Sequence, residues 1–195
     1  MISKQSNLLS NNINDLTQVL VNLKKYSAKL DKVAKIFYQK IKKGGKIFLC
    51  GNGGSAADAQ HLAAEFLVRL RPTINRKPIA ALSLAQDTST ITACSNDYSF
   101  DKLFSRNLEA LANKKDILIA ISTSGKSKNI LEVIKLAKKK NIYTFCLLGN
   151  GGGYAKKFCN NSIIVPSKVT ARVQESHILL GHTLFEKIEN LILAR

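Results

Sequence analysis

The sequence predicts an α/β fold, a mainly parallel central sheet with helices on both faces, because short apolar runs alternate with segments of helical periodicity. Three runs, Lys46–Cys50, Asp116–Ser122 and Tyr143–Leu148, are nearly continuous in apolar residues. Such runs suit strands covered on both sides. With 195 residues, 45% of them hydrophobic and 22% charged, the chain is long enough for a sizeable core. A single domain over 1–195 is expected, with a helical segment over about 8–42.

In that segment Leu16, Leu20, Leu23, Leu30, Val33, Ile36, Phe37 and Ile41 recur at helical spacing without proline, which predicts one or two amphipathic helices. Lys46–Cys50 is the first strand, and Gly51–Ser55 a tight turn into a helix over Ala56–Leu70. A second strand is expected over Ile79–Leu84, followed by a helix through Thr88–Ala93. Asp116–Ser122 then feeds a helix from about Ser127 to Lys140. Tyr143–Leu148 and Ser162–Val165 are the last strands, and Ala171–Arg195 forms a long closing helix.

Composition excludes several classes. Met1–Asn12 is polar and lacks the basic and apolar regions of a secretory signal, and no apolar stretch is long enough to cross a membrane. Cys50, Cys94, Cys146 and Cys159 form no C-x-x-C pair and read as reduced, buried thiols. A net charge of +17 raises nucleic acid as a partner. The excess lies in dispersed clusters, Lys24-Lys25, Lys42-Lys43 and Lys138–Lys140, at expected helix ends, where lysine complements the helix dipole. No specific nucleic-acid partner is therefore expected, while a basic field favours capture of small anions.

Gly51-x-Gly53-x-x-Ala56 satisfies a loose dinucleotide fingerprint, but no acidic residue ends the second strand and Asp87 comes too late. Ser122-Thr-Ser-Gly-Lys-Ser127 is more informative. It follows an apolar strand and opens a helix, which places hydroxyl donors and free N–H groups at one point, as a phosphate requires. Ordinary N-capping is the competing reading. His61 and Glu65 lie four apart on one helix face, a spacing that suits metal binding or acid–base work and equally a surface polar pair.

In combination, Cys-Gly-Asn-Gly-Gly-Ser at 50–55, Gln60-His61-x-x-x-Glu65, Asn96-Asp97-Tyr98, Ser122-Thr123-Ser124-Gly125-x-Ser127 and Thr170-Ala-Arg-Val-Gln174-Glu175-x-His177 with His182 resemble the phosphoheptose isomerases of the sugar isomerase (SIS) family. The match runs from about Leu16 to Ile192. It implies the SIS fold, a flavodoxin-like three-layer sandwich with long terminal helices. It also implies isomerisation of sedoheptulose 7-phosphate to D-glycero-D-manno-heptose 7-phosphate through an enediolate, at the start of ADP-heptose synthesis for lipopolysaccharide.

By the same resemblance Asn52, Gly53, Gly54, Ser55, Asn96 and Asp97 line the sugar site with Glu65 and Gln174, and Ser122, Thr123, Ser124 and Ser127 hold the phosphate. Glu65 is then the general base and His182 the general acid. His61, Glu65, Gln174 and His182 match the ligands of one zinc per subunit, and the enzyme is a cytoplasmic homotetramer. Some members carry an acidic residue where Ala171 stands, which puts any sugar contact there in question. His177 receives no role beyond that of a helix-packing or surface histidine. An adaptor that binds the replication initiator, and a sugar-phosphate sensor, are the competing functions. The adaptor has no chemical reason to keep Glu65, His182, His61 and Gln174 as a set, and the sensor lacks a DNA-reading domain.

Overall fold

The computed structural model describes residues 7–85 and 87–194. Part of the expected polar N-terminus (1–6) and the last residue of the expected closing helix, Arg195, lie outside them. Helices α1 (Leu8–Leu23) and α2 (Ser27–Lys42) are joined by a 3-10 turn at Lys24–Tyr26, so the N-terminal segment is two helices. Next come β1 (Ile47–Cys50), α3 (Gly54–Leu67), β2 (Ala81–Ser83) and α4 (Thr88–Asp97). They are followed by α5 (Leu103–Leu111), β3 (Ile117–Ser122), α6 (Lys128–Lys139), β4 (Tyr143–Leu148), β5 (Asn161–Ile164) and α7 (Thr170–Leu193). The five strands are all parallel in the order β2-β1-β3-β4-β5. This is the expected doubly wound sheet, with chain order reversing between β1 and β3.

Strand alternation divides the core in two. Ile47, Leu49, Ile117, Ile119, Ile121, Phe145 and Leu147 pack with α1, α2, α3 and α7, whereas Phe48, Cys50, Leu118, Ala120, Cys146 and Leu148 face α4, α5 and α6. Successive side chains of a strand point to opposite faces, so a parallel sheet with two helical layers favours apolar residues at every position of its inner strands. The observed burial of β1 and β3 is complete.

The lysine clusters stand at or beside the ends of α1, α2 and α6, as the charge pattern suggested. Asp87, too late for a ribose partner, accepts the Thr90 N–H (2.7 Å) and caps α4. All four cysteines are free; Cys50, Cys94 and Cys146 are buried, but Cys159 is only half-buried, which corrects the expectation for that residue. Among the described residues no helix is long and apolar enough to cross a membrane.

Helices α3 and α7 run side by side in the same direction. Gly54 meets Gln174, Leu62 meets Gly181, and the Phe66 and Phe185 rings stand 3.5 Å apart between centroids. Beyond them Arg71 Nε donates to Glu189 Oε2 at 2.9 Å. Bonded pairs along this seam lie 118 to 121 residues apart in sequence, the mark of parallel neighbours. Arg76, almost wholly buried, donates to Glu189 Oε1 (2.7 Å) and to the Glu65 (2.6 Å) and Phe66 (2.9 Å) carbonyls. One guanidinium therefore satisfies carbonyls that the end of α3 leaves open and holds a buried carboxylate of α7.

His177 on α7 is fully buried, and neither ring nitrogen makes a hydrogen bond among the described residues. Burial lowers its pKa from 6.5 to about 4, with only the nearby Leu148 carbonyl opposing. The unfolded chain takes up a proton below pH 6.5 that the folded chain refuses down to about pH 4. Stability thus falls with pH across that window, by about 3 kcal/mol in total. Urea unfolding across this range should show His177→Gln losing that much less stability than the wild type between the ends of the window. Parallel profiles for the two proteins would remove His177 as the source.

Candidate active site

The turn after β1 places Asn52, Gly53 and Gly54 at the carboxyl end of the sheet, and Gly53 adopts a φ of +55° that favours glycine. Gly54 opens α3 under the Gln174 side chain of α7, and a Cβ there would collide with the Gln174 Nε2. Ser55 is buried in the first turn of α3. One face of α3 then presents His61 and Glu65.

Across the seam, His182 Nε2 stands 2.9 Å from His61 Nε2, and His61 Nε2 stands 3.5 Å from Glu65 Oε1. One ligand atom from each of these three side chains falls within 4.8 Å of the others. Two imidazoles and a carboxylate are the donor set of a catalytic zinc site with one position left open. The residues present therefore fit zinc. Burial lowers the His182 pKa, and His61 lowers it further while Glu65 and Glu186 oppose. A neutral imidazole is the form that binds metal.

Gly181 makes this approach possible. A Cβ on it would stand 2.7 Å from Leu62 Cδ1, inside a fully buried contact. Its neighbour His182 reaches His61 because the two helices touch there. Neither the composition nor the periodicity of α7 had distinguished Gly181. Asp58, one turn before His61, was also missed; its Oδ2 is buried and has no hydrogen bond among the described residues, burial raises its pKa, and His61 opposes.

The second loop follows β3, adjacent to β1 at the switch point. Ser122 Oγ accepts the Gly125 N–H (3.0 Å) and Ser124 Oγ accepts the Lys126 N–H (3.2 Å). Both hydroxyl hydrogens remain available as donors. Thr123 and Ser127 are half-buried in the same loop, and Ser127 starts α6 without a side-chain capping bond. The N-capping reading therefore fails for Ser127. Gly125 (φ +61°) and Gly153 (φ +50°) pack backbone to backbone, and a side chain on either would collide with the other.

The two loops meet directly. Asn52 Nδ2 donates to Asn129 Oδ1 (2.9 Å), and Asn129 Nδ2 donates to Asn52 Oδ1 (2.8 Å). Asn96 and Asp97, bonded to each other at 2.8 Å, are exposed at the far end of α4. Gln174 stands against Gly54, seven residues and about 10.5 Å along α3 from His61. The single chain thus gathers His61, Glu65 and His182 into one cluster, with Gln174 at the glycine turn. Ala171 is exposed in the first turn of α7.

A family model described as SIS domain matches residues 11–149, which assigns the chain to the sugar isomerase class. Phosphoheptose isomerase 1 of Campylobacter jejuni is 52% identical over 158 residues, 81% of this chain and 84% of the relative. The solved phosphoheptose isomerase of Neisseria gonorrhoeae superposes with a TM-score of 0.88 at 34% identity, covering 97% of this chain and all of that one. That of Francisella tularensis gives 0.90 at 31% identity, covering 95% of this chain and 98% of that one. The chain belongs to the phosphoheptose isomerase family, and it is an isomerase acting on phosphorylated sugars.

Gly181→Ala should force α3 and α7 apart, with a stability loss of about 1–3 kcal/mol and a fall in turnover from the folded protein. Thermal unfolding and kcat measured on one preparation check both. Turnover equal to wild type would show that the site tolerates a wider seam.

Proposed function

We propose that this chain, acting as one domain over 1–195, converts sedoheptulose 7-phosphate to D-glycero-D-manno-heptose 7-phosphate in the cytoplasm. That reaction opens the synthesis of ADP-heptose for lipopolysaccharide. The observation that carries the reading is the His61–Glu65–His182 cluster, formed where the helix that leaves the glycine turn meets α7. An adaptor for the replication initiator has no chemical use for such a cluster.

Moving a carbonyl between neighbouring carbons requires a carbon acid to lose its proton, the enediolate to be held, and the proton to return one carbon away. Glu65, about one-fifth exposed, is desolvated enough to act as a base while still open to a ligand. It removes the proton and returns it on the same face. His182 exchanges protons with the two sugar oxygens. Zinc, when bound, supplies Lewis-acid polarisation of a carbonyl oxygen; His61, Glu65 and His182 of one chain are the side chains that would hold it, and Gln174, which stands at the glycine turn in its own chain, would join them from a neighbouring subunit. Asn52, Gly53, Gly54 and Ser55, with Asn96 and Asp97, line the sugar. Ser122, Thr123, Ser124 and Ser127 grip the phosphate with hydroxyls and with the open N-terminus of α6. The basic surface attracts the substrate and has no specific nucleic-acid partner.

Incubation of the purified protein with sedoheptulose 7-phosphate, with and without added zinc, should yield the aldose. Glu65→Gln keeps the size of the side chain but removes the base, so turnover should collapse while the fold persists. Ser124→Ala should instead weaken binding of the sugar phosphate by about tenfold. Near wild-type turnover in folded Glu65→Gln would remove Glu65 as the base.

We further infer a homotetramer whose sites are shared between subunits. Leu8, Leu9, Ile13 and Val21 on α1 and Leu179 on α7 are apolar and exposed, which suits burial against other copies. Glu65 and His182 meet within one chain while Gln174 stays at the glycine turn, so the shared group is Gln174, and co-assembly of Glu65→Gln with Gln174→Ala subunits should restore activity. Verified mixed tetramers that stay inactive would exclude sharing between these two residues.

A further inference from the structure

We infer that Asn129 is a positioning residue that sets the orientation of the Asn52 amide and ties the sugar loop to the phosphate loop. The inference rests on the proposed placement of Asn52 in the sugar site.

Asn129 is the second residue of α6 and only 2% exposed, a place where an amide is costly unless its hydrogen bonds are made. Its Oδ1 accepts from Asn52 Nδ2 (2.9 Å) and from the Ile130 backbone N–H (2.9 Å), and its Nδ2 donates to Asn52 Oδ1 (2.8 Å). The backbone N–H of Ile130 can only donate, so it determines which end of the Asn129 amide is oxygen. That choice in turn fixes the Asn52 amide, because only one arrangement of a cyclic amide pair matches donors to acceptors. Asn52 is half-buried, and its second Nδ2 hydrogen and remaining Oδ1 lone pair are not used by Asn129. These are the groups it can offer to a sugar, with their polarity already decided.

The tie also has a mechanical side. Asn52 follows β1 and Asn129 follows the loop after β3, so the pair spans 77 residues of sequence across the switch point. Neither loop is held by regular secondary structure here. Gly53 sits at φ +55° on one side and Gly125 at +61° on the other, and Ser127 makes no capping bond to α6. The paired amides therefore connect the phosphate-binding end of α6 to the first residues of the sugar loop. When phosphate seats the serine loop, Asn52 is carried into register with it.

A double-mutant cycle tests this, with Asn52→Ala, Asn129→Ala and both combined. For each protein kcat and KM are measured on sedoheptulose 7-phosphate, or on whichever ketose phosphate of a panel the wild type isomerises, and inorganic phosphate is titrated as a competitor. Each single change should lower kcat/KM by about tenfold, and the double should be no worse than Asn52→Ala alone. Asn129→Asp, which keeps shape but turns an oxygen toward Asn52 Oδ1, should be impaired like Asn129→Ala. Inhibition by inorganic phosphate should be nearly unchanged throughout, since the serine hydroxyls are untouched.

Losses that multiply in the double mutant would overturn the proposal. So would a folded Asn129→Ala with a lowered Tm and wild-type kcat/KM, the signature of a purely structural amide. Wild-type kcat/KM in Asn52→Ala would remove Asn52 from the sugar site and the inference with it. A wild type that isomerises only another ketose phosphate corrects the substrate while leaving the cycle decisive.

Discussion

The site depends on how closely α3 approaches α7. Neither helix is bonded to the other through its backbone, so the distance between them is set by what fills the seam. At Gly181 nothing fills it, and Leu62 comes within contact of the α7 backbone. Phe66 against Phe185 keeps the seam apolar for another turn, and Arg76 with Glu189 closes it with a buried ion pair. An ion pair at that depth adds little net stability over apolar residues, yet breaking it by removing one partner is costly. Its effect here is on geometry, since the same guanidinium also holds the carbonyl of Glu65. The carboxylate and the two imidazoles meet because their helices are held together on both sides of them.

The sheet contributes the other half. Parallel strands place every β-to-α loop at one end, and the reversal of order between β1 and β3 opens a crevice there. The glycine turn and the serine loop are the two loops that flank this crevice. One brings a helix that carries acid–base side chains; the other brings hydroxyls and a helix N-terminus suited to an anion. In the proposed reaction, charge and chemistry are thereby separated along one ligand, with the phosphate at one end and the reacting carbons at the other.

Much of this was legible in the chain itself. β1, β3 and β4 are apolar but for Ser122 and Thr144, the pattern that strands covered on both faces favour. β2 proved shorter than Ile79–Leu84, and β5 has only Ile163 buried, so the pattern fades toward the sheet edges. Helix α5 went unassigned: it is nine residues long and has no side-chain cap, although Leu103, Phe104 and Leu108 do lie on one face. His61, Glu65 and the serine loop could be found because their chemistry is local. Gly181 and Asn129 could not, because each acquires its meaning from a residue 77 or more positions away. An asparagine inside a helix and a glycine in a long one look like mild local defects until their partners are known.

The parallel seam between α3 and α7 also constrains how this chain can change in length. From the contact of Gly54 with Gln174 to that of Leu62 with Gly181, α3 advances eight residues and α7 seven, so the two helices run nearly in step. One residue inserted within either helix would turn everything beyond it by about 100° and shift it by about 1.5 Å. The glycine would leave its leucine and the imidazoles would part, even with every residue type retained. The register of the seam thus forbids insertions and deletions within either helix. A transplant of this chemistry onto another scaffold would have to carry both helices in register as a single unit.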